Sequence, residues 1–487
     1  LILSFQICIG KVKLEGRQAK SRGNGGFMKL TGEQEKIARR VKAHGQGHVL
    51  RWINEISEEE RKCLFVQLNN LDFERVEELA GLIGKEEESV DFDKIEPADV
   101  ERLGTSGEEV AGLGREALRA DRVAALTVAG GQGTRLGYDG PKGTFPITPI
   151  LGKSLFQVLA EKVLAVRQRY GCSMPWLIMT SPTNHKDTIA FFEGEDYFGM
   201  PSDSVYFFSQ NVNPILGESG ELLLKEKNSL LVGPDGHGGV FEAFSSSGLG
   251  AKMAGEGFDL ISYFQVDNPL VTVADERFIG HHLDKDAEFS CKVIKKRDPW
   301  EGLGVAVLKD GHPGIVEYID MPEGVASRQR ENGELEFLFG SIAVHVINTE
   351  FALRMGGKQG VLPWHVAEKN YEVLHPDGSK SPSKCFKFER FVFDCLPYAR
   401  GCAFVEAERE DEFAPVKNAE GEDSPDSCRR LLTRQWVRWL EDAGVDISQL
   451  KGEVGDVEIG PLYADSSEDL AEALADGVEV RSPVILD

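Results

Sequence analysis

The chain has 487 residues, 28% of them charged, and a formal net charge of −25. That length accommodates a large core with one or two satellite units, while the acidic excess excludes the broad basic face that nucleic-acid binding requires. An anionic ligand must then be held by a few local cations and by backbone amides.

Eight cysteines, at positions 8, 63, 172, 291, 385, 395, 402 and 428, show no C-x-x-C pair and no paired spacing. The pattern predicts reduced, mostly buried thiols, a cytoplasmic location and no zinc site. No run reaches the ~18 consecutive apolar residues of a membrane-spanning helix, so neither a membrane nor nucleic acid is expected among the partners. Oligomeric state leaves no mark in the sequence.

Residues 1–27 open on the apolar run Leu1–Ile9, which has no basic region before it and no small-residue cleavage site after it. They continue through the basic, glycine-containing stretch Lys11–Gly26 and read as a disordered extension or a misplaced start ahead of Met28. Residues 28–120 form an N-terminal region of helical pattern: Leu50, Trp52, Ile53 and Ile56 recur on one face, and Ser57-Glu-Glu-Glu60 predicts a capping box.

Between residues 121 and 400 apolar runs alternate with amphipathic segments. Strands are predicted at Val123–Ala129, Trp176–Thr180, Val205–Ser209, Leu260–Val266, Phe289–Ile294, Val305–Leu308 and Ser341–Ile347, with helices at Phe156–Gln168 and Phe241–Gly248. This is the pattern of βα units around a mostly parallel sheet, an α/β fold. Residues 401–487 read as a small C-terminal α+β domain with a helix over Arg429–Asp442 and short β-like runs such as Gly477–Arg481.

The predicted strand at Val123 feeds Val128-Ala-Gly-Gly-Gln-Gly-Thr-Arg-Leu-Gly137, followed by Pro141-Lys-Gly143. Glycines let the backbone approach a ligand and turn several N–H donors toward one point, which suits a polyphosphate. Arg135 and Lys142 add two cations. The Walker pattern fails because no Lys-Ser or Lys-Thr follows at the required place, and the dinucleotide fingerprint fails because Leu136 occupies its last glycine position. Ligands of parallel sheets bind outside the carboxyl ends of strands, and Asp267 after Val266 falls at such an end as well.

The loop resembles the signature of the eukaryotic-type UDP-sugar pyrophosphorylases, most of all their UDP-N-acetylhexosamine branch. Pro234-Asp-Gly-His-Gly-Gly239, Gln265-Val-Asp-Asn268, Val316-Glu-Tyr318, Leu362-Pro-Trp-His-Val-Ala367, Phe388-Glu-Arg-Phe-Val-Phe-Asp394 and Arg409–Asn418 match further motifs in the family's order. The resemblance spans nearly all of Met28–Asp487. It implies a Rossmann-like, glycosyltransferase-A-like nucleotidyltransferase domain that joins UTP to a hexose 1-phosphate, releasing pyrophosphate with Mg²⁺ as cofactor. The sequence contains no G-x-S-x-G elbow and no H-E-x-x-H, and such a reaction requires no general base, since a phosphate monoester is already ionised near neutral pH.

By the same resemblance Val128, Ala129, Gly130 and Gly131 hold the nucleotide, and Arg135, Lys142 and Lys417 are catalytic cations. Asp267 is the Mg²⁺ ligand, Gln210 and Gly236 recognise uracil, and Lys387 contacts phosphate. His237, Glu317, Tyr318, Ser341, Phe391 and Phe393 line the sugar pocket. The expected sugar is N-acetylglucosamine 1-phosphate, with Phe391 and Phe393 as an apolar wall beside the acetamido group. Two departures keep glucose or galactose 1-phosphate open: His237 stands where the N-acetylhexosamine enzymes carry Asn, and Ser341 where the pattern expects Asn. Phe391 and Phe393 also fit alternating core positions of a strand. His185, His281, His345 and His365 read as structural.

Overall fold

Val123–Val128 is buried at five of its six positions and lies between two parallel neighbours, so its near-continuous apolar run reflects helices or loops covering both faces of the sheet. The computed structural model describes residues 30–85, 91–105, 107–357, 362–448, 450, 453–474 and 482–487. The extension predicted at 1–27 and the β-like run at 477–481 lie outside these. Contacts gather the described chain into two units: Leu1–Ser89 with Gln210–Gly239 and Leu362–Phe391, and Val90–Ser209 with Val240–Val361 and Val392–Asp487.

The larger unit holds an eleven-stranded sheet. Its strands are β1 (Ile95–Pro97), β2 (Val100–Arg102), β3 (Val123–Val128), β4 (Trp176–Thr180), β5 (Val205–Ser209), β6 (Leu260–Gln265), β7 (Phe289–Lys295), β8 (Val305–Lys309), β9 (His312–Val316), β10 (Phe339–Asn348) and β11 (Cys402–Glu406). The main order is β2-β11-β7-β10-β6-β3-β4-β5. Only β10 runs antiparallel to its neighbours along this path. The predicted strands thus form, and the sheet is mostly parallel as expected.

Helix Leu155–Tyr170 starts where the Ser154 hydroxyl accepts from the Gln157 N–H and stops at Gly171, whose φ of 65° a side chain would disfavour. It buries Phe156 edge-on against Trp176 and Phe192 in the main core, each such ring contributing roughly 1.5–3 kcal/mol by burial. Helix Pro425–Asp442 begins with a reciprocal Ser424–Ser427 cap and packs Leu432, Trp436 and Trp439 against Ile147, Leu155 and Leu270. There Val457–Ile459 pairs in parallel with Val484–Leu486.

The smaller unit packs helices Gly32–Ala43, Glu58–Asn70 and Phe73–Ala80 on the antiparallel hairpin His365–Leu374/Lys380–Glu389 and the short ladder Val212–Pro214/Val232–Pro234. The capping box at Ser57 is present. The helix expected around Leu50–Ile56 is instead a 3₁₀ turn, Gly47–Leu50, followed by turns, although Leu50, Trp52 and Ile56 are buried. Gly45 and Gly47 before it and the Ser57 cap after it leave too few residues to propagate a helix. In the larger unit β1 and β2 also interrupt the predicted helical region, because each finds a partner strand in the sheet.

Candidate functional site

At the carboxyl end of β3 the chain turns away from the sheet under backbone control. The Ala129 N–H donates to the Met179 carbonyl at 2.7 Å, and the buried Asn184 amide donates to the carbonyls of Ala129 and Gly131 at 2.8 and 3.2 Å. With those carbonyls turned inward, the N–H groups of Gly130 and Gly131 have no protein partner among the described residues. Gly133 donates to the Gly140 carbonyl and Lys142 to that of Gly131, at 2.9 and 3.1 Å, so the loop folds back on the Pro141-Lys-Gly turn. Gly143 admits no side chain, since a Cβ there would lie 2.2 Å from the Phe156 ring.

This fold-back carries Lys142 to the end of β6, the parallel neighbour of β3. Its ammonium donates to Asp267 Oδ2 at 3.1 Å, with both side chains mostly buried (17% and 13% exposed). Arg135 is exposed and has no side-chain partner among the described residues. Val128, Ala129, Gly130, Gly131, Lys142 and Asp267 are therefore brought to one edge of the sheet.

Lys417 arrives from the segment after β11. The Val416 N–H donates to the Asp267 carbonyl at 2.9 Å, and the Lys417 ammonium lies 3.8 Å from Asp423 and 5.5 Å from the Phe413 ring centroid. Burial raises the Asp423 carboxyl above its ordinary range; the Lys417 and Arg297 charges oppose this, and the nearby Asp267 and Glu422 charges add to it. Asp423 thus feels both Asp267 and Lys417, although it lies beyond the Arg409–Asn418 motif.

Because β10 is antiparallel to β6, its first residues lie at this same edge. There the Ser341 N–H donates to the Gly304 carbonyl at 2.8 Å. A Cβ at Gly304 would stand 3.5 Å from Glu317 Oε1, and one at Gly302 would stand 3.6 Å from the Tyr318 ring, which is 43% exposed. Ser341, Glu317 and Tyr318 accordingly border one strip of backbone.

The smaller unit holds the second group. Gln210 is buried and precedes the ladder in which Val212 faces Pro234, which sets it beside the turn carrying Gly236. Gly236 has φ +86°, and a Cβ there would sit 2.4 Å from the Arg390 carbonyl, so both conformation and space demand glycine. Arg390 fixes this turn: its N–H donates to the Asp235 carbonyl at 2.9 Å, its carbonyl accepts from Gly238 at 2.8 Å, and its guanidinium meets the buried Asp235 carboxylate at 2.6 Å.

His237 consequently stacks on Phe391 (5.3 Å between centroids), which stacks in turn on His365 (4.2 Å). His365, read as structural, is thus part of the ring stack of a site candidate; its place beside Trp364 in the motif was the available signal. Lys387 reaches Glu389 at 2.6 Å. Phe391 and Phe393 do not alternate along a strand: the strand ends at Glu389, and Phe393 is buried in the larger unit within the 3₁₀ helix Val392–Tyr398. His185 bonds Thr180, and His281 and His345 are buried.

Asp267 stands without a protein-built metal cage: among the described residues no three His, Cys, Asp or Glu side chains converge. A single hard carboxylate beside a loop of unengaged amides fits a Mg²⁺ ion that takes its remaining ligands from phosphate oxygens and water. All seven described cysteines are free thiols, and no described helix is long and apolar enough to cross a membrane.

Comparison with known proteins gives a consistent picture. The family model for UTP–glucose-1-phosphate uridylyltransferase matches residues 73–451. UDP-N-acetylglucosamine diphosphorylase 2 of Arabidopsis thaliana is 34% identical over 92% of this chain and 93% of its own length. UDP-N-acetylhexosamine pyrophosphorylase-like protein 1 of Xenopus tropicalis is 33% identical over 93% of this chain and 96% of its own. The crystal structure of the UDP-N-acetylglucosamine pyrophosphorylase of Trypanosoma brucei superposes with a TM-score of 0.77 at 26% identity, covering 94% of this chain and 99% of that one. With the glycine loop, Lys142 and Asp267 assembled at one sheet edge, the chain belongs to the UTP–glucose-1-phosphate uridylyltransferase family and is a uridylyltransferase.

Proposed function

We propose that this protein joins UTP and N-acetylglucosamine 1-phosphate, giving UDP-N-acetylglucosamine and pyrophosphate. The observation that carries the chemistry is the Lys142–Asp267 pair at 3.1 Å beside the glycine loop. The sugar is favoured by the names of relatives that align over more than nine-tenths of the chain. An ionised oxygen of the sugar phosphate attacks the α-phosphorus of UTP; that P–O bond forms as the bond to the bridging oxygen breaks, and pyrophosphate departs with its electrons.

No proton need be removed from the attacking group, whose second pKa is about 6. The residues act by placement and charge. The Gly130 and Gly131 amides, with Val128 and Ala129, hold the nucleotide phosphates. Lys142, aimed by Asp267, and Arg135 and Lys417 balance negative charge as the pyrophosphate leaves, and Lys387 contacts phosphate. Gln210 and Gly236 recognise uracil, the glycine letting the base lie flat against the main chain. Mg²⁺, held by Asp267 when bound, supplies further neutralisation of the triphosphate. Glu317, Tyr318 and Ser341 engage sugar hydroxyls, and His237 and Phe391, stacked ring on ring, border the sugar. Free thiols agree with a cytoplasmic setting.

A second reading, the same chemistry on glucose or galactose 1-phosphate, is favoured by His237 and Ser341. Pyrophosphate release measured with N-acetylglucosamine, N-acetylgalactosamine, glucose and galactose 1-phosphates decides between them. The highest kcat/KM is expected with N-acetylglucosamine 1-phosphate; a higher value with glucose 1-phosphate would establish the second reading. Chelation of divalent cations is expected to abolish turnover reversibly without lowering the melting temperature, and undiminished turnover would remove Mg²⁺ from the account.

A further inference from the structure

Asp267 and Lys417 stand 150 positions apart in the sequence. Something must fix the register of their two segments, because a cation displaced by an ångström from a reacting phosphate loses much of its effect. The Val416 N–H bond to the Asp267 carbonyl is one tie. Asn268, the next residue after Asp267, makes two more. Its Nδ2 donates to the Glu412 carbonyl at 2.7 Å, and its Oδ1 accepts from the Ala414 N–H at 3.0 Å.

Asn268, Glu412 and Ala414 are 3%, 2% and 1% exposed, so water does not replace these bonds. The carboxamide pairs with alternate residues of the incoming segment as a neighbouring strand would, using one donor and one acceptor. Few side chains of its size do both. Glu412 closes the far end: one carboxylate oxygen accepts from the Thr272 N–H at 3.1 Å, the other meets the buried Lys292 ammonium at 2.5 Å, and Lys292 also meets Asp275 at 2.7 Å. Ties at 412, 414 and 416 therefore hold the segment along Asp267–Thr272, and Lys417 emerges directly after the last of them.

We propose that Asn268 is a positioning residue for uridylyl transfer, its carboxamide setting through Glu412 and Ala414 where Lys417 stands relative to Asp267. The inference rests on the reading that Asp267 and Lys417 serve the triphosphate. Base recognition depends on Gln210 and Gly236 elsewhere, so loss of the carboxamide acts on kcat rather than on the affinity for UTP.

The test compares the wild type, Asn268→Ala, Lys417→Ala and the double variant by pyrophosphate release, together with amide hydrogen exchange over residues 412–417. Asn268→Ala is expected to lower kcat by about tenfold or more while the KM for UTP changes by less than about threefold, with faster exchange at Ala414. The double variant is expected to be no slower than Lys417→Ala, since a misplaced lysine and an absent one cost the same. Asn268→Asp keeps the acceptor and loses the donor, and carries the same comparison if the alanine variant does not fold. Wild-type kcat in the Asn268 variants, or a double variant whose loss is the product of the single losses, would overturn the proposal. Undiminished kcat in Lys417→Ala would instead overturn the underlying reading of Lys417, a result distinct from the other two.

Discussion

The two groups of site residues share backbone ties and differ in the side chains that reinforce them. In the larger unit the charged groups are aimed by backbone ties joined to polar side chains: Lys142 by the Gly131 carbonyl and the Asp267 carboxylate, and Lys417 by the bond from Val416 to Asp267 and the Asn268 carboxamide. In the smaller unit the glycine turn carrying Gly236 and His237 adds to its two backbone bonds with Arg390 a buried ion pair, Asp235–Arg390, and stacked rings. A backbone bond survives substitution of the two residues that make it, whereas a buried ion pair fails as soon as one member is lost. Side-chain substitutions should therefore damage chemistry and stability separately in the two units.

The largest expected effect is on the ion pair. Arg390→Met leaves Asp235 buried without its guanidinium and is expected to cost about 3–5 kcal/mol in urea unfolding, together with a raised KM for UTP. A loss below about 1 kcal/mol would show that the turn is held by other contacts. Lys142→Ala is the converse. It is expected to reduce kcat by about 10²–10³-fold, the order seen when a donor to developing charge is removed, with a smaller loss of stability than Arg390→Met because Asp267 keeps some access to water.

Acidification separates the units by another route. His282 in the larger unit is buried, bonded to Ser290 and Asn348, and burial holds its pKa down to about 4. A depressed histidine favours the folded state above its unfolded pKa of about 6.5, and that contribution declines as pH falls from there toward about 4. Stability of the larger unit should thus fall across that window, by roughly 3 kcal/mol, and His282→Gln should flatten the decline. Glu288, held at about 2 by Arg354 and Arg400, extends the loss below the ordinary carboxylate range. The smallest effect is expected at His237→Asn, which should shift the kcat/KM ratio of N-acetylglucosamine to glucose 1-phosphate by about tenfold or less, since one pocket contact discriminates by only about 1–3 kcal/mol. An unchanged ratio would place His237 outside sugar selection.

The sequence made the larger unit's chemistry legible because its parts are local. An apolar strand, a glycine loop and a lysine lie within twenty-five residues, and Asp267 follows a second strand of the same kind. What stayed hidden depends on long-range pairing. Asp235 and Arg390 each sat in a recognised motif with no role, because only the folded turn shows that they meet. Asn268 and Glu412 carry no periodic signal, and His365 has the sequence surroundings of a core histidine because the ring it stacks on, Phe391, lies 26 positions further along the chain. The misread helix at Leu50–Ile56 had the right buried residues, but its apolar spacing is shared by a tight turn between two capped helices.

The most direct test is a crystal structure of the complex with UDP-N-acetylglucosamine. The account predicts the diphosphate against the Gly130 and Gly131 amides, within hydrogen-bonding reach of the Lys142 ammonium and beside the Asp267 carboxylate. A diphosphate bound away from Lys142 and Asp267 would contradict it.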